Sequence, residues 1–486
     1  MFQFILNFYN YSQLIYSVYY YIQFYNERKE HNIIFLDKII HKIKKCGSVA
    51  IKFTQWVTPK LEIMYLEDNQ ILKNEKPLWL NKLELFYENC DNHSIEYTIN
   101  HYNKIFNSNF HNDYEIIDSI GSGSIGQVYL IQNKPLTKYS EKKKYVMKIL
   151  HPNVNYEIEF FRKFYTIIKY IPQIKNFLND NFPFDIYEFI KQFNEQSNFI
   201  NESNHLLQFK EHYKDNDFII IPELIRCEKS IMIMSYEEGI SFDELTIDIY
   251  HKYKIALLLA SFTRNNQHIL NYHHGDLHKG NWKIRLSDDN KHKLVFYDFG
   301  FCWKIPSHKI NAIDKIAELF EESEINPNSM NINDMIDVMK YLVQYENHNE
   351  GKINNIIDSY LKENINIIKP WVVNPSRLFK MVVNLCISEN LMIDPILIQI
   401  IIVLIQCQKI FEEFRIISAD NDEILKYEVF RSRYLEWITF YKTYDIFKEY
   451  NEFIKDLLNE KQTEIDSIFD CIEMPESIQK LALQKN

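Results

Sequence analysis

The nine residues HHGDLHKGN at 273–281 put three histidines, an aspartate, an asparagine and two glycines into one short stretch. Asp276 and Asn281 stand at the spacing D-x-x-x-x-N, in which an aspartate orients a hydroxyl or a water and an asparagine binds Mg2+ beside a phosphate. Asp298, Phe299 and Gly300 close an apolar run, and a carboxylate there is placed to hold Mg2+ against the phosphates of ATP. Upstream, GSGSIG supplies Gly121, Gly123, Ser124 and Gly126, a turn that lets backbone N–H groups approach phosphate oxygens. Lys148, in VMKIL, follows where a lysine would reach the α- and β-phosphates. A lysine in an apolar strand needs a carboxylate. Glu202 in NFINESNHLLQF is the candidate partner and Glu195 the rival. Each piece alone has a plain reading as a hairpin turn, a strand-edge lysine or a polar loop. A metal site on His273, His274 and His278 lacks a fourth ligand at suitable spacing. The order of glycine turn, Lys, Glu, Asp and Asn, then Asp-Phe-Gly points instead to phosphoryl transfer or ATP hydrolysis. Lys148, Glu202 and Asp276 would act in the reaction, with Asn281 and Asp298 on the metal.

Several elements must position these groups. GxGxxG opens a helix in dinucleotide-binding folds, but here QVYLIQ follows, which reads as a strand. YEIIDSIGSGSIGQVYLIQN is therefore strand, turn and strand, and YVMKIL adds a third strand after a polar turn. Helical segments follow to about residue 215, and FIIIPELI and SIMIMSY return to short strands. Beyond 240 the pattern is mostly helical, broken by the Asp276 loop and by KLVFYDFG. The fold expected is α+β and two-lobed, like a protein kinase, with helical extensions at both ends. Its expected units are an apolar Tyr-rich segment (1–30), a helical extension (31–112), an N-lobe (113–240), and a helical C-lobe with its own extension (241–486). Gly47 should break the first extension, and PILIQIIIVLIQC (395–407) reads as a core helix.

Net charge of −11 and the absence of a long basic run argue against a nucleic-acid partner. The seven scattered cysteines form no CxxC pair, so a reducing, intracellular compartment is expected. The first charge in the chain is Glu27. The preceding Tyr-rich stretch is long enough to span a bilayer, yet its Gln and Asn residues favour a docked helix or one lying on a membrane surface.

These motifs resemble the UbiB family of atypical kinase-like proteins, the aarF-domain group linked to coenzyme Q biosynthesis, over roughly residues 31–410. SIGQVY, KILHPNV, HGDLHKGN and FYDFG resemble that family's S-I-G-Q-V, V-K-V-Q-H-P-G-V, H-A-D-P-H-P-G-N and L-D-F-G. IKFTQW resembles its hallmark K-x-G-Q, with Lys52 and Gln55 in place. The resemblance implies a helix carrying Lys52 and Gln55 folded over the nucleotide site, ATP and Mg2+ as cofactors, and a lipid or quinone-precursor ligand. Three departures stand out: Thr54 replaces the hallmark glycine, glycines replace an alanine-rich loop, and Gln196 and Asn198 replace an acidic pair that meets the lysine. The last two imply a looser cover and basal ATP turnover. HGDLHKGN is also similar to the loop of aminoglycoside and choline kinases, which makes a small-molecule phosphotransferase the alternative. A non-catalytic nucleotide-binding scaffold is a third reading.

Overall fold

The computed structural model describes residues 2–24, 32–65, 77–86, 92–134, 141–246, 249–286, 292–312, 315, 332–344, 350–368 and 375–417. The N-terminal stretch forms helix α1 (Phe2–Phe24). One face docks: Tyr11 is buried, Phe4 meets Phe160 at 5.1 Å, and Phe8 meets Phe164 at 5.2 Å. The opposite face is exposed and apolar, with Phe2, Ile5, Tyr9, Tyr16 and Tyr20 falling on one stripe at helical spacing. No helix among the described residues is long and apolar enough to cross a membrane.

Helices α2 (Asn32–Cys46) and α3 (Ser48–Tyr65) meet at Gly47, whose φ of +90° excludes most side chains. A Cβ there would also lie 2.6 Å from the Glu157 carboxylate. Glu157 belongs to a helix of the N-lobe and accepts a 2.7 Å hydrogen bond from the Ser48 backbone, satisfying an N–H at the start of α3. Burial pushes its pKa up to about 7, against the hydrogen bonds from Ser48 and Val49. A carboxyl with a raised folded-state pKa contributes stability that is full below the unfolded value near 4.5 and is lost as pH rises through 7. Glu157→Gln keeps the acceptor and removes the titration. The stability difference between wild type and variant, from urea unfolding, should therefore change by on the order of 2 kcal/mol between pH 5 and pH 8, in favour of wild type at pH 5. A difference independent of pH would exclude this titration.

After α4 (Leu78–Glu84), helices α5 (Ile95–Phe106) and α6 (Phe110–Asp113) lead into the sheet. Its strands are β1 (Tyr114–Ser122), β2 (Gly126–Asn133), β3 (Lys144–Leu150), β5 (Leu224–Glu228) and β6 (Ile231–Ser235). They pair antiparallel in the order β1-β2-β3-β6-β5. Tyr129, Ile131, Met147, Ile149, Ile231 and Ile233 pack with Tyr102, Phe106 and Phe110 on one face. Strand alternation turns Val146, Lys148 and Leu150 to the other face, and Val146 and Leu150 join the main core there. Lys148 is thus aimed at the interlobe side by the pleat itself.

Helices α7 (Val154–Ile168), α8 (Pro172–Asn181), α9 (Ile186–Gln196) and α10 (Phe199–His212) separate β3 from the short β4 (Ile219–Ile220). The C-lobe holds α11 (Ile249–Arg264), β7 (His273–His274), the antiparallel hairpin of β8 (Trp282–Arg285) and β9 (Lys293–Phe296), and β10 (Cys302–Trp303). Helices α12 (Ile332–Leu342), α13 (Glu350–Ile368), α14 (Pro375–Ser388) and α15 (Pro395–Ile417) build a second core. Helix α3 joins both cores: Val49, Ala50 and Ile51 sit in the first, Ile63 in the second. It ties the two cores together. Cys46, Cys227, Cys302, Cys386 and Cys407 are free thiols.

Candidate nucleotide site

Lys148 is buried in β3, and its ammonium donates to Glu202 Oε1. Asp298 Oδ2 lies 3.4 Å away on the other side. Glu202 stands in the first turn of α10, whose N-cap Asn198 accepts from Ile200 N at 3.2 Å. Its position near the helix N-terminus suits a carboxylate. Burial pulls the Lys148 pKa down, but Asp298 and Glu202 outweigh it and hold the ammonium above the ordinary lysine range. Burial raises the pKa of Glu202, with Lys148 opposing it. Desolvation also works against the charge of Asp298, yet Lys148, the Gly300 N–H and Lys52 hold its carboxyl well below the usual range. The rival Glu195 does not reach Lys148: it lies exposed at the end of α9, where its carbonyl accepts from Asn201.

The Asp276 loop is gripped from several sides. His274 Nε2 bonds the Asp298 carbonyl at 2.6 Å. A carbonyl only accepts, so that nitrogen carries the proton and Nδ1 is left to accept from Asp276 N at 3.3 Å. This one imidazole links the two acidic motifs. Asn281 Nδ2 donates to Asp276 O at 2.9 Å, so the amide oxygen is the atom this side chain could offer a metal. His278 Nε2 lies 3.6 Å from Asp276 Oδ2, while His273 stacks on Trp303 with centroids 5.7 Å apart. Gly275 packs so closely on Trp303 that a Cβ would come within 2.0 Å of its ring. From α15, Gln399 Nε2 donates to Gly275 O at 3.0 Å and Gln406 Oε1 accepts from Leu277 N at 3.2 Å. Two glutamines two helical turns apart thus hold the peptide groups on either side of Asp276. Residues 395–407 form the expected core helix, but its apolar pattern hid this task.

The glycine turn is the β1–β2 hairpin. Gly121 has open space around it, and Gly123 N donates to Gly126 O at 3.0 Å. Gly126 is needed for strand packing, since a Cβ would lie 2.4 Å from Ile149 O. The Ser124 hydroxyl donates to Gln55 Oε1 at 3.0 Å, and Gln55 Nε2 donates to Phe86 O at 2.7 Å. Ser124 and Gln55, both expected to face nucleotide, bond one another and fasten α3 to the turn. Lys52, one turn before Gln55, acts on Asp298. Thr54, in the place of the hallmark glycine, is accommodated by donating to Ala50 O at 2.8 Å within the helix.

The expectation that Gln196 and Asn198 stand as a pair before Lys52 needs correction. Asn198 spends its side-chain oxygen as the cap of α10. Gln196 alone is buried toward the Asp-Phe-Gly turn, its Cγ 4.0 Å from where a Gly300 Cβ would stand.

Asn281 and Asp298 offer hard oxygen donors, and no cluster of three or more His, Cys, Asp or Glu suited to a metal occurs among the described residues. That donor set fits Mg2+ completed by phosphate and water, which seldom uses an all-protein cage.

A strand hairpin with a glycine turn, a buried Lys–Glu pair reaching an Asp-Phe-Gly motif, and a polar loop beneath them define a two-lobed α+β fold of the protein-kinase type. The model of the ABC1 atypical kinase-like domain matches residues 87–335, and the chain belongs to that family. It is 28% identical over 268 residues to a Dictyostelium discoideum protein named probable serine/threonine-protein kinase abkC, covering 53% of this chain and 36% of that one. It is 22% identical over 290 residues to a mitochondrial ABC1 family protein of Schizosaccharomyces pombe, covering 52% and 40%. The chain thus matches well under half the length of each of these relatives. Among solved structures, the erythromycin complex of Rv3197 from Mycobacterium tuberculosis aligns over 73% of this chain and 91% of its own, with a TM-score of 0.42 and 14% identity.

Proposed function

We propose that this atypical kinase-like protein binds Mg-ATP between its lobes and turns it over as an ATPase or phosphotransferase, in a role tied to isoprenoid-quinone lipids. The observation that carries the reading is Lys148 held between Glu202 and Asp298, with Asp276 and Asn281 in the adjoining loop. In this reading Lys148 binds phosphate oxygens, Glu202 keeps its ammonium aimed, and Asp276 accepts or orients the proton of the attacking hydroxyl or water. Mg2+, when bound by Asn281 and Asp298, neutralises charge on the phosphates. The quinone-lipid link rests on the resemblance of Lys52 and Gln55 to the K-x-G-Q hallmark. The exposed stripe of α1 supports contact with a membrane surface, because it is apolar, Tyr-rich and free of charge.

The test is turnover of radiolabelled ATP by purified protein, with and without quinone-containing vesicles. We expect Mg-dependent phosphate release without vesicles and an increase on vesicles that the protein also floats with. Nucleotide binding without any turnover would sink the enzymatic reading in favour of a scaffold. Transfer of label to choline or an aminoglycoside would favour a small-molecule phosphotransferase.

A further inference from the structure

One residue at the end of β3 grips the glycine turn twice. His151 N donates to Ile125 O at 2.9 Å, and His151 Nε2 bonds Gly123 O at 3.0 Å. Ser122 Oγ, 3.5 Å from the same ring nitrogen, is the more distant neighbour. Pro152 follows and biases His151 toward extended backbone, in line with the strand. In a trans peptide the C=O and N–H point in opposite directions, so a Gly123 carbonyl turned to His151 turns the Ser124 N–H away from it. That N–H bonds no other group among the described residues. The Ser124 hydroxyl is already spent on Gln55, so the backbone N–H is what this residue has left for an anion.

The ring of His151 is itself fixed. A carbonyl only accepts, so Nε2 carries the proton. Burial lowers the pKa of this imidazole against the opposing effect of the Gly123 bond, and the neutral ring presents Nδ1 as an acceptor. His93 Nδ1 stands 2.7 Å from that atom and donates to it. Burial, together with His151 and His101, brings the pKa of His93 down to about 4, so this partner is neutral as well near pH 7. His93 Nε2 meets the hydroxyl of buried Thr98 on α5 at 2.9 Å, and His93 N donates to Gln127 Oε1 on β2 at 3.0 Å. The bond that one imidazole makes thus sets the tautomer of the other.

We propose that His151 is a positioning residue for phosphate: it keeps the Gly123–Ser124 peptide with its carbonyl turned outward and its N–H toward the nucleotide, and His93 holds the ring in the tautomer this requires. The inference rests on the reading of the glycine turn as the phosphate cover. Gly123 has no side chain to hold the peptide plane, and only Gly126 O lies within 4 Å of where a Cβ would stand. Without His151 the plane can flip. A flipped plane sets a carbonyl oxygen against phosphate oxygens, where the N–H would have made a charge-assisted hydrogen bond.

Equilibrium binding of Mg-ATP and of adenosine to wild type, His151→Leu, His151→Gln, His93→Leu and Lys148→Met, with the Tm of each, tests this. His151→Leu keeps the bulk and loses the donor. It should bind Mg-ATP about tenfold more weakly and adenosine within about twofold of wild type, since only the phosphate end loses a contact. His151→Gln returns an amide N–H near the place of Nε2 and should recover most of the ATP affinity. His93→Leu frees the His151 tautomer and should fall between wild type and His151→Leu; it carries the test if His151→Leu does not fold. Wild-type ATP affinity in these variants while Lys148→Met is defective would overturn the inference and leave the nucleotide site standing. Equal weakening toward ATP and adenosine, or no recovery in His151→Gln, would reduce His151 to a packing residue. Absence of ATP binding by wild type, or wild-type affinity in Lys148→Met, would overturn the nucleotide reading and this inference with it.

Discussion

Asp298→Asn is expected to lose most of the thermal stabilisation that magnesium and ATP give the wild-type protein. A ligand that binds only the native state stabilises it by about 2.7 kcal/mol at a hundred times its Kd. For a chain of this size that is roughly 3 °C in Tm. Asp298 Oδ2 faces Lys148 at 3.4 Å, and in the proposed reading the same carboxylate holds the metal. Its charge is held by Lys148, the Gly300 N–H and Lys52, so it is ready as a hard anionic ligand at any ordinary pH. Asparagine keeps the oxygen that Gly300 N donates to and loses the charge. We expect the variant to retain less than a third of the shift, and wild type in EDTA to behave like the variant. Equal shifts in both proteins with magnesium would remove Asp298 from metal binding.

Much of this site could be read from the chain because its parts are short motifs with strict local geometry. Lys148 reaches the interlobe face through strand alternation, and the carboxylate beside it is Glu202, the candidate favoured over Glu195. The strand–turn–strand reading of GSGSIG also holds, with β1 and β2 on either side. What stayed hidden depends on partners brought from far along the chain. Gln399 and Gln406 sit in a run of isoleucines, where periodicity reports burial and says nothing of what two amides bond. Ser124 looked like a phosphate ligand because its neighbours are glycines, and only packing of α3 reveals that its proton goes to Gln55. Asn198 was misjudged for a simpler reason. An Asn before a helical run is a strong N-cap, and that local use outweighs a role inferred by position in a motif. The docking of α1 was equally undecidable from composition, since the same aromatic residues serve a buried face and an exposed one.

The buried ion pair makes the second large prediction. Removing one partner of a buried, hydrogen-bonded pair typically costs about 3–5 kcal/mol, because the other charge is left without its counter-ion. Lys148 and Glu202 meet that description, with side chains only 10% and 3% exposed. The two losses should differ in kind. In Glu202→Ala, Lys148 keeps Asp298 as a partner. In Lys148→Met, Glu202 and Asp298 face the site without their cation, and Glu202, whose pKa burial already raises, takes up a proton. A folded-state pKa raised above the unfolded value gives stability that is present at low pH and lost as pH rises. Lys148→Met should therefore recover stability relative to wild type between pH 7 and pH 5, and Glu202→Ala should not. In ATP turnover each single substitution should cost at least a hundredfold. The double variant should fall no more than a few-fold below the worse single one, because the second change removes a group whose partner is already gone. Urea unfolding at the two pH values and initial rates for all four proteins supply the cycle. Fully additive losses in both measurements would show that Lys148 and Glu202 act independently, and the contact between them would then be only a neighbourhood in the fold.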